Sequence, residues 1–131
     1  ILGESNKSFN TNSSLHYVTN KLHSYDKPGG ISLGEEEGIQ LIILNDDLSE
    51  SGYHTLIYCY GGNLYELMKQ KRQQFVPGQG VKILPVESFS AKAISKSCLV
   101  ISASDKSSKD VITAVALKSA RISEVDTNAP S

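Results

Sequence analysis

YHTLIYCYGGNLYELMK, Tyr53 to Lys69, reads as two β-strands folded back on Gly61-Gly62. A two-residue type I′ loop needs positive φ at both central positions, and glycine supplies that without steric cost. With the loop placed there, Tyr60 faces Asn63, Cys59 faces Leu64, Tyr58 faces Tyr65, Ile57 faces Glu66, Leu56 faces Leu67 and Thr55 faces Met68. Side chains alternate along a strand, so Ile57, Cys59, Leu64 and Met68 share one face. Leu56, Tyr58, Tyr60, Tyr65 and Leu67 share the other. The aliphatic face suits close packing under a helix. The tyrosine face suits a surface whose hydroxyls still reach water, and Tyr58, Tyr60 and Tyr65 are the candidate partner-binding residues.

Upstream of the hairpin, Leu15, Val18 and Leu22 recur at i, i+3 and i+7 and predict a short helix over about 13–23. Asn10, Asn12 and Ser13 are candidate N-caps, Lys21 and His23 suit the negative end of the helix dipole, and Pro28-Gly29-Gly30 ends the helix. The apolar stripe is narrow, so the helix should lie on a sheet. Beyond Gly30 the period changes from 3.6 to 2. Ile31 to Leu33 is a first strand, Glu35 to Gly38 its turn, and Ile39 to Leu44, apolar on both faces, a strand that should be central. Asn45 to Gly52 leads into the hairpin as a polar connection.

Downstream, Gln70 to Gly80 is a basic loop and Val81 to Leu84 begins the next strand. Pro85 interrupts that strand as at an edge or bulge, and Val86 to Ile94 continues it. Cys98 to Ala103 and Val111 to Leu117 pair across Ser104 to Lys109 as a last hairpin. One helix followed by about seven short strands with short connections predicts an α+β fold, a single helix on a single antiparallel sheet. Residues 1–131 make one domain, with the β-rich region at about 31–117 and a loose polar tail at 121–131.

The formal net charge of −1, from 13 basic and 14 acidic residues, lacks the footprint of a protein that tracks phosphate backbones, so nucleic acid is not an expected partner. Cys59 and Cys98 both fall inside expected strands, without a CxxC pair, and read as small buried hydrophobes, with a disulfide as the alternative. His16 and His23 lie two helical turns apart and His54 lies on a strand, so they share no metal. The acidic runs at Glu35-Glu36-Glu37 and at Asp46, Asp47 and Glu50 lack the alternating order of a calcium loop and read as solvated turns. Gly78-Gln79-Gly80 precedes a strand rather than a helix, which makes it a turn and not a phosphate loop. Lys69, Lys71 and Arg72 read as an exposed charged loop, with a partner contact as the alternative. No serine sits in a nucleophile elbow, and neither a catalytic group nor a cofactor is expected.

The segments SSLHYVTNKLH, PGGISL, GYHTLIYCYGGNLYELM and FVPGQGVKI, taken in order over Ser13 to Leu117, resemble a family of uncharacterised pilin-like proteins of Gram-positive anaerobes. That family is similar to minor pseudopilins of the ComGF type. The most specific parts are Gly29-Gly30-Ile31, the strand with Tyr53, Thr55, Ile57 and Tyr58, and Gly62, Leu64, Glu66 and Leu67 after the turn. The resemblance implies a β-rich domain outside the cytoplasmic membrane or at the cell surface, with other pilin-like subunits or surface proteins as partners. It also implies a membrane-spanning helix upstream of Ile1, of which the helix at 13–23 is the exposed continuation. It implies no catalytic residue.

Overall fold

The computed structural model describes residues 2–46, 52–104 and 110–125, with side chains over 13–46, 52–104 and 110–123. The elements are α1 (Leu2–Ser24), β1 (Ile31–Glu36), β2 (Ile39–Asn45), β3 (Tyr53–Tyr60), β4 (Asn63–Gln70), β5 (Val81–Pro85), β6 (Ser88–Ser95), β7 (Cys98–Ser104), β8 (Asp110–Ala116) and β9 (Ser123–Val125). The class is α+β, as the sequence implies.

The hairpin forms in the expected register, from Tyr60 opposite Asn63 down to Thr55 opposite Met68. Gly61 and Gly62 take φ of 57° and 79°. The β1–β2 hairpin turns on Glu37 and Gly38 at φ of 53° and 75°, a tighter turn than the four residues expected. Here a non-glycine residue occupies a left-handed position, which is why the sequence does not mark the turn as sharply as Gly-Gly does.

Two expectations of a single sheet and a short helix are corrected. The strands form two sheets, one in the order β5-β4-β3-β2-β1-β9 and one in the order β6-β7-β8. β2 and β3 are central in the first. The break falls just past Pro85, the last residue of edge strand β5, which pairs with Asn63 at the start of β4; the Val86 N–H still reaches the Gly62 carbonyl at 3.0 Å, and with no more of β4 to pair the chain crosses to the second sheet. Gln40 of β2 ties the sheets together by accepting the Ala91 N–H of β6 at 3.0 Å.

The helix starts at Leu2, not near Ser13. Apolar periodicity marks only the part of a helix that packs, and that part begins at Ser14 and Leu15 among the described side chains. Asn10, Asn12 and Ser13 therefore sit inside the helix and cap nothing at its start.

Leu15, Val18 and Leu22 are buried in the core that the aliphatic face of the hairpin also lines, and α1 itself lies nearest to β7 and β8 of the second sheet. The three side chains share one core with Ile57 and Leu64, to which Leu99, Ile101 and Val115 of the second sheet contribute. Met68, expected under the helix, is 61% exposed. Its neighbour on the same face, Glu66, takes the place instead. The Tyr17 hydroxyl donates to the Glu66 carboxylate, and Lys21 Nζ stands 3.3 Å from it. Burial pushes the Glu66 carboxyl above its ordinary pKa even with Lys21 at its side.

The segment expected as a loose tail is anchored where it begins. Asp26, just past α1, accepts the backbone N–H groups of Lys118, Ser119 and Ala120 at 2.7, 2.7 and 2.8 Å. These bonds, that of Lys118 foremost, hold its carboxyl below the ordinary carboxylate pKa. Ala120 and Ile122 are buried, and Ser123–Val125 pairs in parallel with β1. The rest of the tail, residues 126–131, lies outside the described residues, as do 47–51 and 105–109 in the two polar connections.

Candidate functional site

The face of the first sheet that turns away from α1 carries Leu41 and Ile43 of β2, Leu56 and Tyr58 of β3, and Leu67 of β4. Strand alternation dictates that grouping, since Ile43 pairs Leu56 and Leu56 pairs Leu67. Residues 71–80, which link β4 to β5, arch over this face. Phe75, 2% exposed, plugs the arch onto it, with its ring edge-on to Tyr58 at 5.1 Å between centroids. The Tyr58 hydroxyl donates to the Pro77 carbonyl at 2.7 Å.

The three candidate tyrosines therefore separate. Tyr58 is fully buried, and burial, with Tyr65 next, pushes its phenol up to about 12. Tyr65 stacks on it at 5.6 Å and is half-buried. Tyr60 is 42% exposed and meets Tyr65 edge-on at 5.8 Å. The rings form a ladder running from the arch to the hairpin tip instead of an open platform, because the arch covers its inner end.

Lys69 is likewise not the solvated cation that its neighbours Lys71 and Arg72 suggested. It points to the far face, is 4% exposed, and its ammonium donates to the carbonyls of Gln70, Lys71 and Gln73 at 3.2, 3.4 and 2.7 Å. The β4 side chain thus pins the start of the arch from below. Burial lowers its pKa while Glu36 opposes the shift.

Between the arch and the sheet lies a cavity of about 530 Å³. Leu41, Ile43 and Leu56 line it as an apolar floor, and His54, Lys69, Lys71, Arg72 and Glu36 are among its polar lining. His54 Nε2 is buried and has no hydrogen-bond partner among the described residues. Burial, then Lys69 and Lys71, lowers the imidazole pKa to about 4, so the ring is neutral at pH 7. Nothing in the sequence marks this cavity except the alternation that aims His54 and Lys69 to the same side.

The remaining candidate groups lie elsewhere. His16 and His23 are exposed on α1, on the opposite side of the sheet from His54. Asp46 accepts the hydroxyls of Tyr25 and Thr55, the latter at 2.8 Å, while Asp47 and Glu50 lie outside the described residues. Cys59 and Cys98 are free, half-buried thiols in different sheets, and burial raises the Cys59 pKa. Among the described residues no group of three His, Cys, Asp or Glu side chains could hold a metal ion.

Residues 9–106 match the model of a family described as a domain of unknown function (DUF4860), and the chain belongs to that family. No curated protein and no solved structure matches the chain.

Proposed function

We propose that this chain is the β-rich domain of a membrane-anchored, pilin-like subunit, a non-enzymatic part that packs into or caps a surface filament or a secretion pseudopilus. The observation that carries the reading is the arrangement of α1. A 23-residue helix leads the chain, and the half of it that ends at Ser24 is sewn into the core of an antiparallel sheet by Leu15, Val18 and Leu22. Such a helix holds the domain rigidly at one end of a rod, which is what a filament subunit requires. The resemblance of the segments over Ser13 to Leu117 to pilin-like proteins adds to it. Among the described residues no helix is long and apolar enough to cross a membrane, so the proposed anchor is a segment upstream of Ile1. The proposed site of action is the outer face of the cytoplasmic membrane or the cell surface, among other pilin-like subunits or surface proteins.

The test uses the complete reading frame that contains this chain, with single cysteines in place of the exposed His16 or Asn20 on α1. In cells of the source, bismaleimide treatment should convert the membrane-associated protein to a ladder of cross-linked products, beyond any formed through the half-buried Cys59 and Cys98 in the parent. Recovery of the full-length protein in the aqueous fraction, uncross-linked at both positions, would end this reading. The alternative, an extracellular module that binds a glycan or partner protein through Tyr58, Tyr60 and Tyr65, loses its central ring to the arch and is supported only by Tyr60 at the hairpin tip.

A further inference from the structure

We propose that the outer edge of β8 is a self-association site, at which two copies of this chain pair their β8 strands antiparallel about a two-fold axis and join their three-stranded sheets into one. The starting observation is a contrast among the strands that stand at sheet edges among the described residues, β5, β9, β6 and β8. An unpaired edge is a row of backbone donors and acceptors open to any extended chain, and proteins blunt it with charge, proline, irregular pairing or brevity. β5 carries the exposed Lys82, ends on Pro85 and shifts register against β4 between Leu64 and Tyr65. β6 carries the exposed Lys92 and shifts register against β7 between Ala93 and Ser95. The Gln40 side chain also occupies the β6 edge, bonding the Ala91 N–H at 3.0 Å and the Ala91 carbonyl at 2.5 Å. β9 is three residues long.

β8 has none of these devices. Its seven residues, DVITAVA, pair with β7 in unbroken register from Asp110 to Ala116, without proline, glycine, lysine or arginine. Among the described residues no strand lies beyond it, and Ile112 is 66% exposed. That the occupant is a second copy follows from the self-complementarity of the strand. Facing residues of an antiparallel pair share a side of the sheet, so the two-fold axis passes through a residue position, and only the midpoint, Thr113, lets the whole strand pair. The axis then sets Ile112 against Ala114 of the second copy and Ala114 against its Ile112, a large exposed side chain beside a small one on both sides. Asp110 faces Ala116 of the second copy, and the exposed Lys118 follows two residues beyond. No like charges stand opposite one another, and the acidic start of each strand lies by the basic end of the other. The pairing uses up this edge in both copies and leaves the guarded β6 at each end, so association closes at a dimer.

The experiment is sedimentation equilibrium of the chain, with hydrogen exchange followed alongside. The chain should form a concentration-dependent dimer with a dissociation constant between about 1 μM and about 1 mM, as suits an interface below the standard size. Alternate amides of β8 should gain protection as the dimer fills. Ile112→Lys combined with Ala114→Lys, both at exposed positions, sets new ammonium groups opposite each other and should weaken the dimer by more than about tenfold. Val81→Lys, 66% exposed on β5, should leave it unchanged. Under oxidation Thr113→Cys should join two copies at position 113, since facing Cα atoms in such a pair stand about 4.5–5.5 Å apart, within disulfide reach. Asp110→Cys should not, because that position faces Ala116 of the second copy and not itself. Peptide mapping separates these links from any through Cys59 or Cys98.

A chain that stays monomeric to about 1 mM, the weak limit of that range, would overturn the proposal. So would a dimer that survives the double substitution on β8, or one that Val81→Lys breaks. Cross-linking of Asp110→Cys as readily as Thr113→Cys would overturn the two-fold at Thr113. A monomer whose β8 amides gain protection only from an added Thr-Val-Thr-Val-Thr peptide would make the edge a site for another protein's strand, and the pairing of copies would fall. None of these outcomes involves α1 or a membrane, so failure here leaves the filament reading standing.

Discussion

Leu56 and Ile57 are neighbours on β3, both fully buried, and they belong to different cores. Ile57 lies in a continuous apolar body built from α1 and both sheets, closed at its end by Ile122. Leu56 lies in a local cluster with Leu41, Ile43, Tyr58 and Phe75, roofed by one arch and bordered by a cavity. Every long-range element of the chain meets on the first side. The second is a short excursion of β4 into β5, held among the described residues by the Phe75 ring, the Tyr58 hydroxyl, the Lys69 ammonium and the Lys71 N–H that bonds to the Gly52 carbonyl. The difference teaches where this domain keeps its stability and where it has latitude.

Truncation on the two sides should therefore differ in reach before it differs in size. Leu22→Ala opens a void in the shared core and should cost about 2–5 kcal/mol in urea denaturation. Its exchange-protected amides should lose protection together, those of Leu56 and Ile57 included. Phe75→Ala removes a larger side chain, of a kind whose loss usually costs about 3–5 kcal/mol, yet the damage should centre on the arch. Hydrogen exchange should quicken most at Gln73 and Gln79, whose amides bond to the Gln70 and Val76 carbonyls. Uniform loss of protection across both faces in Phe75→Ala would erase the distinction.

Gly80→Ala probes the seam of the arch. Its φ of −72° is open to any residue, so the effect is steric: a Cβ there would collide with the Tyr58 hydroxyl and lie 3.2 Å from the Glu66 carbonyl. About 1–3 kcal/mol of destabilisation is expected, and calorimetry of the variant checks it. A neutral outcome would mean that the arch floats over Tyr58 instead of pressing on it.

A smaller effect follows from His54. Its folded pKa of about 4 lies below the ordinary value of 6.5, so the folded state resists protonation. Stability is fully present above about pH 6.5 and is lost as pH falls towards 4. The residue is only partly buried, and solvent screening reduces the contribution to about 1–2 kcal/mol. The measurement is the change in unfolding free energy between about pH 7 and about pH 4.5 in the parent and in His54→Gln. The variant should show the shallower dependence. Parallel curves would remove His54 from the account of the far face.

Much of the first side was legible in the sequence, and little of the second. The Gly-Gly turn sets the hairpin register, and the Leu15, Val18 and Leu22 stripe names the helix face that enters the core shared with Ile57 and Leu64, because both are local periodicities tied to short connections. Met68 departs from the pattern because alternation assigns a face without saying how far along the strand the covering helix reaches. Asp26 could not be found, since its partners lie more than 90 residues away and are backbone N–H groups that any sequence supplies. The two-sheet division falls where β4 runs out opposite Pro85, and a proline marks an interruption without saying which sheet the next strand joins. The cavity escaped notice for a related reason. Lys69 reads as one of three surface cations until the arch folds back over it, and no spacing within Gln70 to Gly80 announces that fold.

The smallest expected effect is also the sharpest test of how the arch is held. Tyr58→Phe keeps the ring, its stacking on Tyr65 and its edge contact with Phe75, and removes only the hydroxyl that donates to the Pro77 carbonyl. That should cost about 1 kcal/mol, the usual net worth of one such bond. The same hydroxyl is what an alanine at Gly80 would strike. If the contact is as tight as the geometry indicates, Gly80→Ala should cost less in the Tyr58→Phe background than in the parent. The double variant should then be more stable than the sum of the two single losses implies, with the coupling falling in the range of about 0.5–3 kcal/mol seen for residues in contact. Strict additivity would place Gly80 and the Tyr58 hydroxyl apart, and the hold on the arch would then shift to the Phe75 ring, the Lys69 ammonium and the Lys71 N–H that donates to the Gly52 carbonyl.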